Sequence, residues 1–430
     1  MKRYHLITQG CQMNVHDSEK ISGLLDREGL VAADNPRDAD VIILNTCSIR
    51  AKAEEKFFSM LGRMASIKKR RRGLKIGVTG CVAQQDGEAI LKRAPYVDFV
   101  IGPQNIHLIG RALKTESVTL GLDDNPFVAT LNLPAKRAPG VKAWVNIMYG
   151  CNNFCSYCVV PYTRGPERSR PAEDVLAEVR QLAGEGVREV TLLGQNVNSY
   201  LTSHSFPQLL AEVAGLDGIT RVRFVTSHPK DLSDDLIHVM RDSEAVCEHL
   251  HLPLQSGSTR ILQLMNRRYS YKQYFERVRR LREILPDISI TSDIIAGFPQ
   301  ESNDDHRATL EALSEICFDG IFAFKYSLRP RTKAAELPGH LPESLQAERL
   351  AEILQLQDRI TETKNHSLEG SLQEVLVEGE AERGPSHLTG RTRTNKVVNL
   401  LNHPSIHTGT VLTVRITRGY RHSLEGEPVS

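Results

Sequence analysis

Short β-branched runs alternate with stretches of helical period through the first part of the chain. Tyr4–Thr8, Val41–Asn45 and Lys75–Thr79 read as strands, and Asp17–Gly29, Ile49–Lys69 and Ala83–Arg93 read as helices. That alternation predicts a parallel sheet with covering helices over residues 1–120. Gly121–Gly140 carries Pro, Asn and Gly without a clear period and reads as a linker, 121–140.

The same rhythm returns on a larger scale over 141–366. Six strands are expected: Ala143–Met148, Arg188–Leu193, Arg221–Ser227, Cys247–Pro253, Ile288–Ile295 and Gly320–Tyr326. Helical segments Pro171–Ala183, Ser233–Arg241, Thr259–Met265, Tyr271–Leu285 and Asp304–Ile316 separate most of them, and Glu343–His366 reads as one long helix. Six β/α units predict a partial (β/α)6 barrel rather than a closed eight-fold one. Over 369–430 the pattern changes to β-branched runs, Leu372–Val377, Lys396–Leu401 and Thr410–Ile416, broken by Gly, Pro and Asn. A small all-β barrel or sandwich is expected there. The fold class is therefore α/β, with a β-barrel appended.

Composition changes this picture little. Of 430 residues, 40% are hydrophobic and 25% charged, as in ordinary globular proteins, and a net charge of +2 does not by itself point to nucleic acid. No run of ~18 apolar residues offers a membrane span. Met1-Lys2-Arg3-Tyr4-His5 lacks an apolar signal segment, so a cytoplasmic location is expected. No assembly element is evident, and a monomer is expected.

The eight cysteines change it more. They stand at 11, 47, 81, 151, 155, 158, 247 and 317. In a cytosolic chain, spaced cysteines are more often metal ligands or catalytic groups than disulfides. Cys151-x3-Cys155-x2-Cys158 follows the first expected barrel strand. Three thiolates on a short loop can ligate three irons of a cubane and leave the fourth open. Zinc is the competing occupant, but its structural sites close with a fourth Cys or His, and none is near in sequence. Cys11, Cys47 and Cys81 each lie just after one of the three N-terminal strands. Parallel strands bring their carboxyl ends to one edge, so three cysteines distant in sequence can converge there. Gly10 and Gly80 would let the backbone approach a cluster closely. The alternative is three buried structural cysteines. Cys247 and Cys317 sit in apolar contexts and read as core.

These motifs, with their neighbours, resemble the methylthiotransferase family of radical S-adenosylmethionine (SAM) enzymes, and the likeness runs over essentially the whole chain. Cys151-Asn152-Asn153-Phe154-Cys155-Ser156-Tyr157-Cys158 resembles the superfamily's cluster loop. Gly10-Cys11-Gln12-Met13-Asn14, Asn45-Thr46-Cys47-Ser48-Ile49-Arg50, Gly80-Cys81-Val82-Ala83-Gln84-Gln85 and Gly194-Gln195-Asn196-Val197-Asn198 resemble the branch that acts on tRNA. The C-terminal domain resembles the RNA-binding TRAM barrel. Two positions depart from the pattern: Gln9, where an aromatic is common, and Tyr149, where glutamate is common.

The resemblance implies two [4Fe–4S] clusters, one on Cys151, Cys155 and Cys158 and an auxiliary one on Cys11, Cys47 and Cys81. It implies SAM as both methyl donor and radical source. The implied reaction places a methylthio group on C2 of an isopentenylated adenosine beside the anticodon, with an electron donor and a sulfur-supply or cluster-assembly system as further partners. Threonylcarbamoyl-adenosine in tRNA and a ribosomal-protein aspartate are the rival substrates. The rival from another class is a non-catalytic iron–sulfur RNA-binding protein.

Candidate SAM contacts lie at barrel strand ends: Tyr157 in the loop, Gly194-Gln195-Asn196, Ser227-His228, Gln255-Ser256 and Asp293. Singly, each reads equally well as a turn residue or a cap. Arg164 and Arg170 follow the cluster loop and are candidates for substrate or RNA contact. Arg391, Arg393, Lys396, Arg415, Arg418 and Arg421 fall in a stretch without acidic residues and are candidates for RNA phosphate, against a merely solvated sheet face. Lys68-Lys69-Arg70-Arg71-Arg72 ends an expected helix, where cations are favoured anyway; gripping a tRNA backbone is the other reading.

Overall fold

The computed structural model describes residues 1–47, 51–381 and 384–429. Ser48, Ile49 and Arg50, part of the second cysteine motif and the expected helix start, lie outside the described residues.

The N-terminal unit is a six-stranded parallel sheet. Its strands are β1 (Arg3–Gln9), β2 (Val31–Ala32), β3 (Val41–Thr46), β4 (Lys75–Gly80), β5 (Phe99–Ile101) and β6 (Thr119–Gly121), in the order β2-β1-β3-β4-β5-β6. Helices α1 (Gln12–Arg27), α2 (Ala51–Arg70), α3 (Cys81–Arg93) and α4 (Ile109–Lys114) cover it. The period of two along β3 decides the layering: Ile42 and Leu44 join one apolar layer, Val41 and Ile43 the other. The three expected strands are all present. The short strands β2, β5 and β6 were not legible, because two or three residues carry no measurable alternation. Helix α1 begins at Gln12, five residues before the expected start, because Cys11 stands at its N-cap position.

The expected linker contains no helix or strand between β6 and residue 142, yet it is packed down. Lys136 N–H donates to Glu19 O at 2.9 Å, and a Cβ on Gly23 of α1 would sit 2.4 Å from Pro134 O.

The central unit holds β7 (Lys142–Asn146), the two-residue β8 (Met148–Tyr149) and β9 (Arg168–Ser169), then β10 (Glu189–Leu193), β11 (Arg221–Phe224), β12 (His249–His251), β13 (Ser289–Ala296) and β14 (Gly320–Lys325). Two parallel three-stranded sheets, β11-β10-β7 and β12-β13-β14, are joined by the Val222–Val246 bridge, giving the open six-stranded half-barrel the sequence predicts. Its helices are α5 (Val160–Arg164), α6 (Ala172–Gly184), α7 (Phe206–Ala214), α8 (Asp234–Asp242), α9 (Thr259–Leu264), α10 (Tyr271–Ile284), α11 (Asn303–Ile316) and α12 (Glu343–His366). Serine caps α8, α9, α10 and α11: Ser233, Ser258, Ser270 and Ser302 each accept a backbone N–H one turn on. The unexpected α7 starts at Ser205 with Pro207 in its first turn, where a missing N–H costs nothing.

The last residues form a closed barrel, β15-β16-β17-β19-β18: β15 (Leu372–Ala381), β16 (Gly384–Thr392), β17 (Val397–Leu401), β18 (Val411–Gly419) and β19 (Leu424–Pro428). Val375, Val377, Val398, Val414 and Ile416 fill it. Cys247 is buried as expected. Cys317 is not core: it caps α11 in the left-handed conformation (φ 53°), which turns its side chain out to solvent.

Candidate active site: two cysteine triads and the seam between them

Register brings the first triad together. Gln9 pairs with Thr46 and Thr46 with Gly80, so β1, β3 and β4 end on one row. Cys47 and Cys81 follow that row directly, and Cys11 follows after Gly10. Gly10 (φ 144°) is required, since a Cβ there would lie 2.6 Å from Cys47 Cβ. Gly80 (φ 92°) is required too, its Cβ falling 2.3 Å from Thr46 O. Beneath the thiols, Asn45 donates to Asn14 O and Ser18 Oγ, both at 2.8 Å, and Asn14 Oδ1 accepts from Cys11 N–H. The Cys47 thiol bonds to both neighbours, which holds Cys11 and Cys81 down to about 6 against the opposing effect of burial; the Arg164 charge adds to the lowering. Cys47 itself is pushed up. Thiolate is the ligating form, so two of the three thiols are prepared for metal at neutral pH.

The second triad sits on the loop after β8. Gly150 (φ 72°) begins it, its Cβ position lying 2.0 Å from Pro166 O. Ser156 N–H donates to Met265 O, and Ala334 N–H donates to Ser156 O, so two distant loops clasp this one. Phe154, Asn266, Arg268 and Arg331 all take positive φ in these three loops, a concentration of strain typical of functional sites. Arg267 is buried against the loop. Its Nη1 lies 3.4 Å from Cys155 Sγ and from the Tyr157 hydroxyl, Nη2 donates to Pro253 O, and Nε donates to Tyr269 Oη. Burial, reinforced by the charge of Cys155, pushes the Cys158 thiol up to about 12. No group of three or more His, Cys, Asp or Glu side chains among the described residues is arranged around a single-ion position. Both triads are thiol-only donor sets, the chemistry of iron–sulfur ligation.

Four of the strand-end candidates present buried polar atoms without a protein partner: Gln195 Nε2, Asn196 Oδ1, Ser227 Oγ and His228 Nε2. Burial and the nearby Arg267 charge hold His228 down to about 2, so its ring is neutral. Its Nδ1 accepts from Lys230 N–H, which places the proton on Nε2 and makes that atom a donor. Buried polar atoms are normally satisfied, so this group fits a polar ligand such as SAM. Gly194 packs where a Cβ would lie 2.4 Å from the Met148 side chain. Ser256 is occupied by Thr309 and Ser258, and Gln255 pairs with β13 through its backbone. Asp293 stands 3.5 Å from His251 on the face it shares with Phe322.

Arg164 and Arg170 do not reach out to RNA. Arg164 ends α5, is 4% exposed, and donates from Nη2 to Asp17 Oδ2 at 2.7 Å across the seam to α1. Arg170 is buried on Asn146 O and Glu178. Lys20 of α1 donates to the Tyr149 hydroxyl at 2.8 Å. Sequence reading missed Arg267, Lys20 and Asp17. The partners that tie them to the site, Cys155, Tyr149 and Arg164, lie more than a hundred residues away, beyond any local pattern.

Of the barrel cations, Arg393 grips Glu248 and Val246 O, Lys396 reaches Asn365 and Asp319, and Arg391 pairs with Glu378 and Asn395. Arg415, Arg418 and Arg421 remain exposed, Arg418 over the Tyr420 ring and Arg421 3.1 Å from Asp358. Of the basic run ending α2, Lys68 and Arg71 pair with Asp98 and Asp40, while Lys69, Arg70 and Arg72 face solvent. Around the second triad the rim is aromatic. Phe154 (45% exposed) and Tyr162 (42% exposed) meet edge to face at 6.2 Å.

A half-barrel with a three-cysteine loop at the carboxyl end of its first strand defines the radical SAM class. Residues 145–313 match the Radical SAM superfamily, residues 3–102 the family described as "Uncharacterized protein family UPF0004", and residues 366–429 the TRAM domain. Solved structures that share the fold include two radical S-adenosylmethionine enzymes. One is a radical S-adenosylmethionine methyltransferase, TsrM, from Kitasatospora setae (TM-score 0.59, 15% identity, 78% of this chain and 75% of that one). The other is the cobalamin-dependent S-adenosylmethionine radical enzyme OxsB (TM-score 0.53, 12% identity, 84% of this chain and 56% of that one). Among curated relatives, the tRNA-2-methylthio-N(6)-dimethylallyladenosine synthase of Thermodesulfovibrio yellowstonii is 56% identical over 99% of this chain and 98% of its own length. That of Syntrophus aciditrophicus is 48% identical over 99% and 94%. The chain belongs to the tRNA-2-methylthio-N(6)-dimethylallyladenosine synthase family.

Proposed function

We propose that this protein transfers a methylthio group to C2 of N6-dimethylallyladenosine in tRNA, using SAM and two [4Fe–4S] clusters. The observation that carries the reading is the presence of two three-thiol sites in one chain, each at the carboxyl edge of a parallel sheet. Cys151, Cys155 and Cys158 hold one cluster and Cys11, Cys47 and Cys81 the other; when bound, each supplies an iron open to a small ligand, and SAM supplies the methyl group and the radical.

The protein's own part is positioning. Neutral His228 offers an Nε2–H donor, Asn196 an acceptor and Gln195 an amide N–H to the polar groups of SAM. Arg267 holds the cysteine loop through Cys155 and Tyr157. Phe154 and Tyr162 offer faces on which unstacked loop bases of tRNA can lie, and Arg415, Arg418 and Arg421 offer charge to its backbone. In this reading residues 1–120 form the methylthiotransferase unit, 141–366 the radical SAM unit and 369–430 the RNA-binding unit. The protein works as a cytoplasmic monomer, supplied by an electron donor and a sulfur or cluster source.

Nucleoside mass spectrometry on an anaerobic reaction tests this. Reconstituted protein, SAM and dithionite are combined with tRNA carrying dimethylallyl-adenosine, and in parallel with tRNA carrying threonylcarbamoyl-adenosine. A methylthio-dimethylallyl-adenosine peak is expected. Reaction of the parallel tRNA alone would overturn the substrate assignment while keeping the chemistry.

A further inference from the structure

Each cysteine triad has one buried arginine, and the two differ. Arg267, beside Cys155, has a protein partner at Nε, Nη1 and Nη2. Arg164 has its Nη2 on Asp17, while its Nη1 is buried with no partner at all. Its backbone is fixed as well, because Gln104 donates to Arg164 O at 2.9 Å. The guanidinium is contributed by the central unit, six residues after Cys158, yet it docks on the N-terminal unit: Asp17 lies on α1, which Cys11 caps, and α5 packs on α3, which Cys81 opens.

A buried guanidinium that keeps a free N–H is costly unless something anionic takes it. Asp17 neutralises the charge but occupies only one nitrogen. The cysteine site beside it, on the reading above, gathers negative charge twice: when its cluster is reduced, and when an anionic sulfur species binds the open iron. We infer that Arg164 is the counter-cation of the auxiliary site, a positioning residue that favours the reduced cluster and holds a small thiolate or hydrosulfide ligand there through Nη1. Because the same residue ends the helix that follows the other cysteine loop, the central unit completes the N-terminal site. This inference rests on the assignment of a cluster to Cys11, Cys47 and Cys81.

The test uses a full-length variant with Cys151, Cys155 and Cys158 changed to Ala, which leaves one cluster to observe. Its reduction potential is measured by EPR-monitored titration, and methanethiolate is titrated in by following the change in the EPR signal. Adding Arg164→Gln should lower the potential and weaken methanethiolate binding about tenfold or more, the effect of losing a charge-assisted hydrogen bond. Arg164→Lys should restore most of the potential. Asp17→Asn should shift the potential the other way, upward, since it leaves the cation uncompensated. A merely structural tie between α5 and α1 would give no such reversal of sign. Should Arg164→Gln not fold, the Lys and Asn variants carry the comparison. Unchanged potential and affinity in iron-loaded Arg164 and Asp17 variants would overturn the counter-cation. A triple-alanine protein that takes up no iron would instead overturn the auxiliary cluster beneath it.

Discussion

Lys20 Nζ lies 2.8 Å from the phenolic oxygen of Tyr149, and both side chains are buried in the seam between α1 and the start of the second cysteine loop. Tyr149 departs from the glutamate that the family resemblance leads one to expect there. The phenol takes over the acceptor role a carboxylate would have.

The pair therefore predicts an order of stabilities. Tyr149→Phe strands a buried ammonium and should cost about 1–3 kcal/mol. Tyr149→Glu restores an acceptor and should cost less. Lys20→Met combined with Tyr149→Phe removes both groups and should recover much of the loss. Denaturant midpoints of the reconstituted proteins check the ranking, and a Tyr149→Glu variant less stable than Tyr149→Phe would contradict it.

Cysteine substitutions should separate the two sites. Cys155→Ala should abolish 5′-deoxyadenosine formation from SAM. Cys47→Ala should retain it and lose methylthio product. Iron analysis should read about eight per wild-type chain, from two cubanes, and about four for either variant.

On the C-terminal barrel, Arg415→Gln, Arg418→Gln and Arg421→Gln should each weaken tRNA binding, the slope of affinity against salt falling by about one for each phosphate no longer neutralised. Arg393→Gln should behave differently. It cuts the anchor to Glu248 and should lower the thermal midpoint. Fluorescence binding isotherms at several salt concentrations, beside melting curves, distinguish the two classes.

Replacing Phe154 or Tyr162 with Ala should cost about 1–3 kcal/mol of tRNA binding if each carries a stacked base. Formation of 5′-deoxyadenosine without tRNA serves as the control on loop integrity. Equal tRNA affinity in both variants would remove the aromatic rim from the RNA surface.

Glu19 gives a pH signature. Burial raises its carboxyl from 4.5 to about 7, with Arg137 opposing. The folded state then holds a proton that the unfolded chain has already lost, so this group's contribution is full below about 4.5 and is lost as pH rises through about 7. Glu19→Gln should match the wild type at or below about pH 4.5, gain on it progressively up to about pH 7, and keep a constant advantage above that. Thermal midpoints across that range report the crossover.

The elements legible in the sequence include those with enough residues to show a period, β1, β3, β4, most of the half-barrel strands and α12, while the three-residue β12 was legible only through the longer run Cys247–Pro253 around it. The cysteine positions were legible because three strands end the same way. The seam was not. Arg164 read as a candidate for substrate or RNA contact after the cysteine loop, and only the docking of α5 on α1 gives it Asp17, 147 residues away. Arg393 and Lys396 misled for the same reason. A basic stretch reads alike in sequence whether it faces phosphate or a neighbouring domain's carboxylates.

Arg221 and Arg223 of β11 hold the C-terminal barrel chiefly by its main chain, donating to the carbonyl oxygens of Arg391, Thr392, Arg393 and Glu374. Carbonyl oxygens are the same whatever residue bears them. Much of the attachment is thus written in backbone shape, with a few matched side chains, Arg221–Glu374, Arg393–Glu248 and Lys396–Asp319, across the joint, and the rest of the barrel's outer face is free to drift in evolution without coming loose. A TRAM barrel from a distant relative, grafted at this joint, needs the same strand path and cations to meet Glu248 and Asp319 to seat in the same orientation.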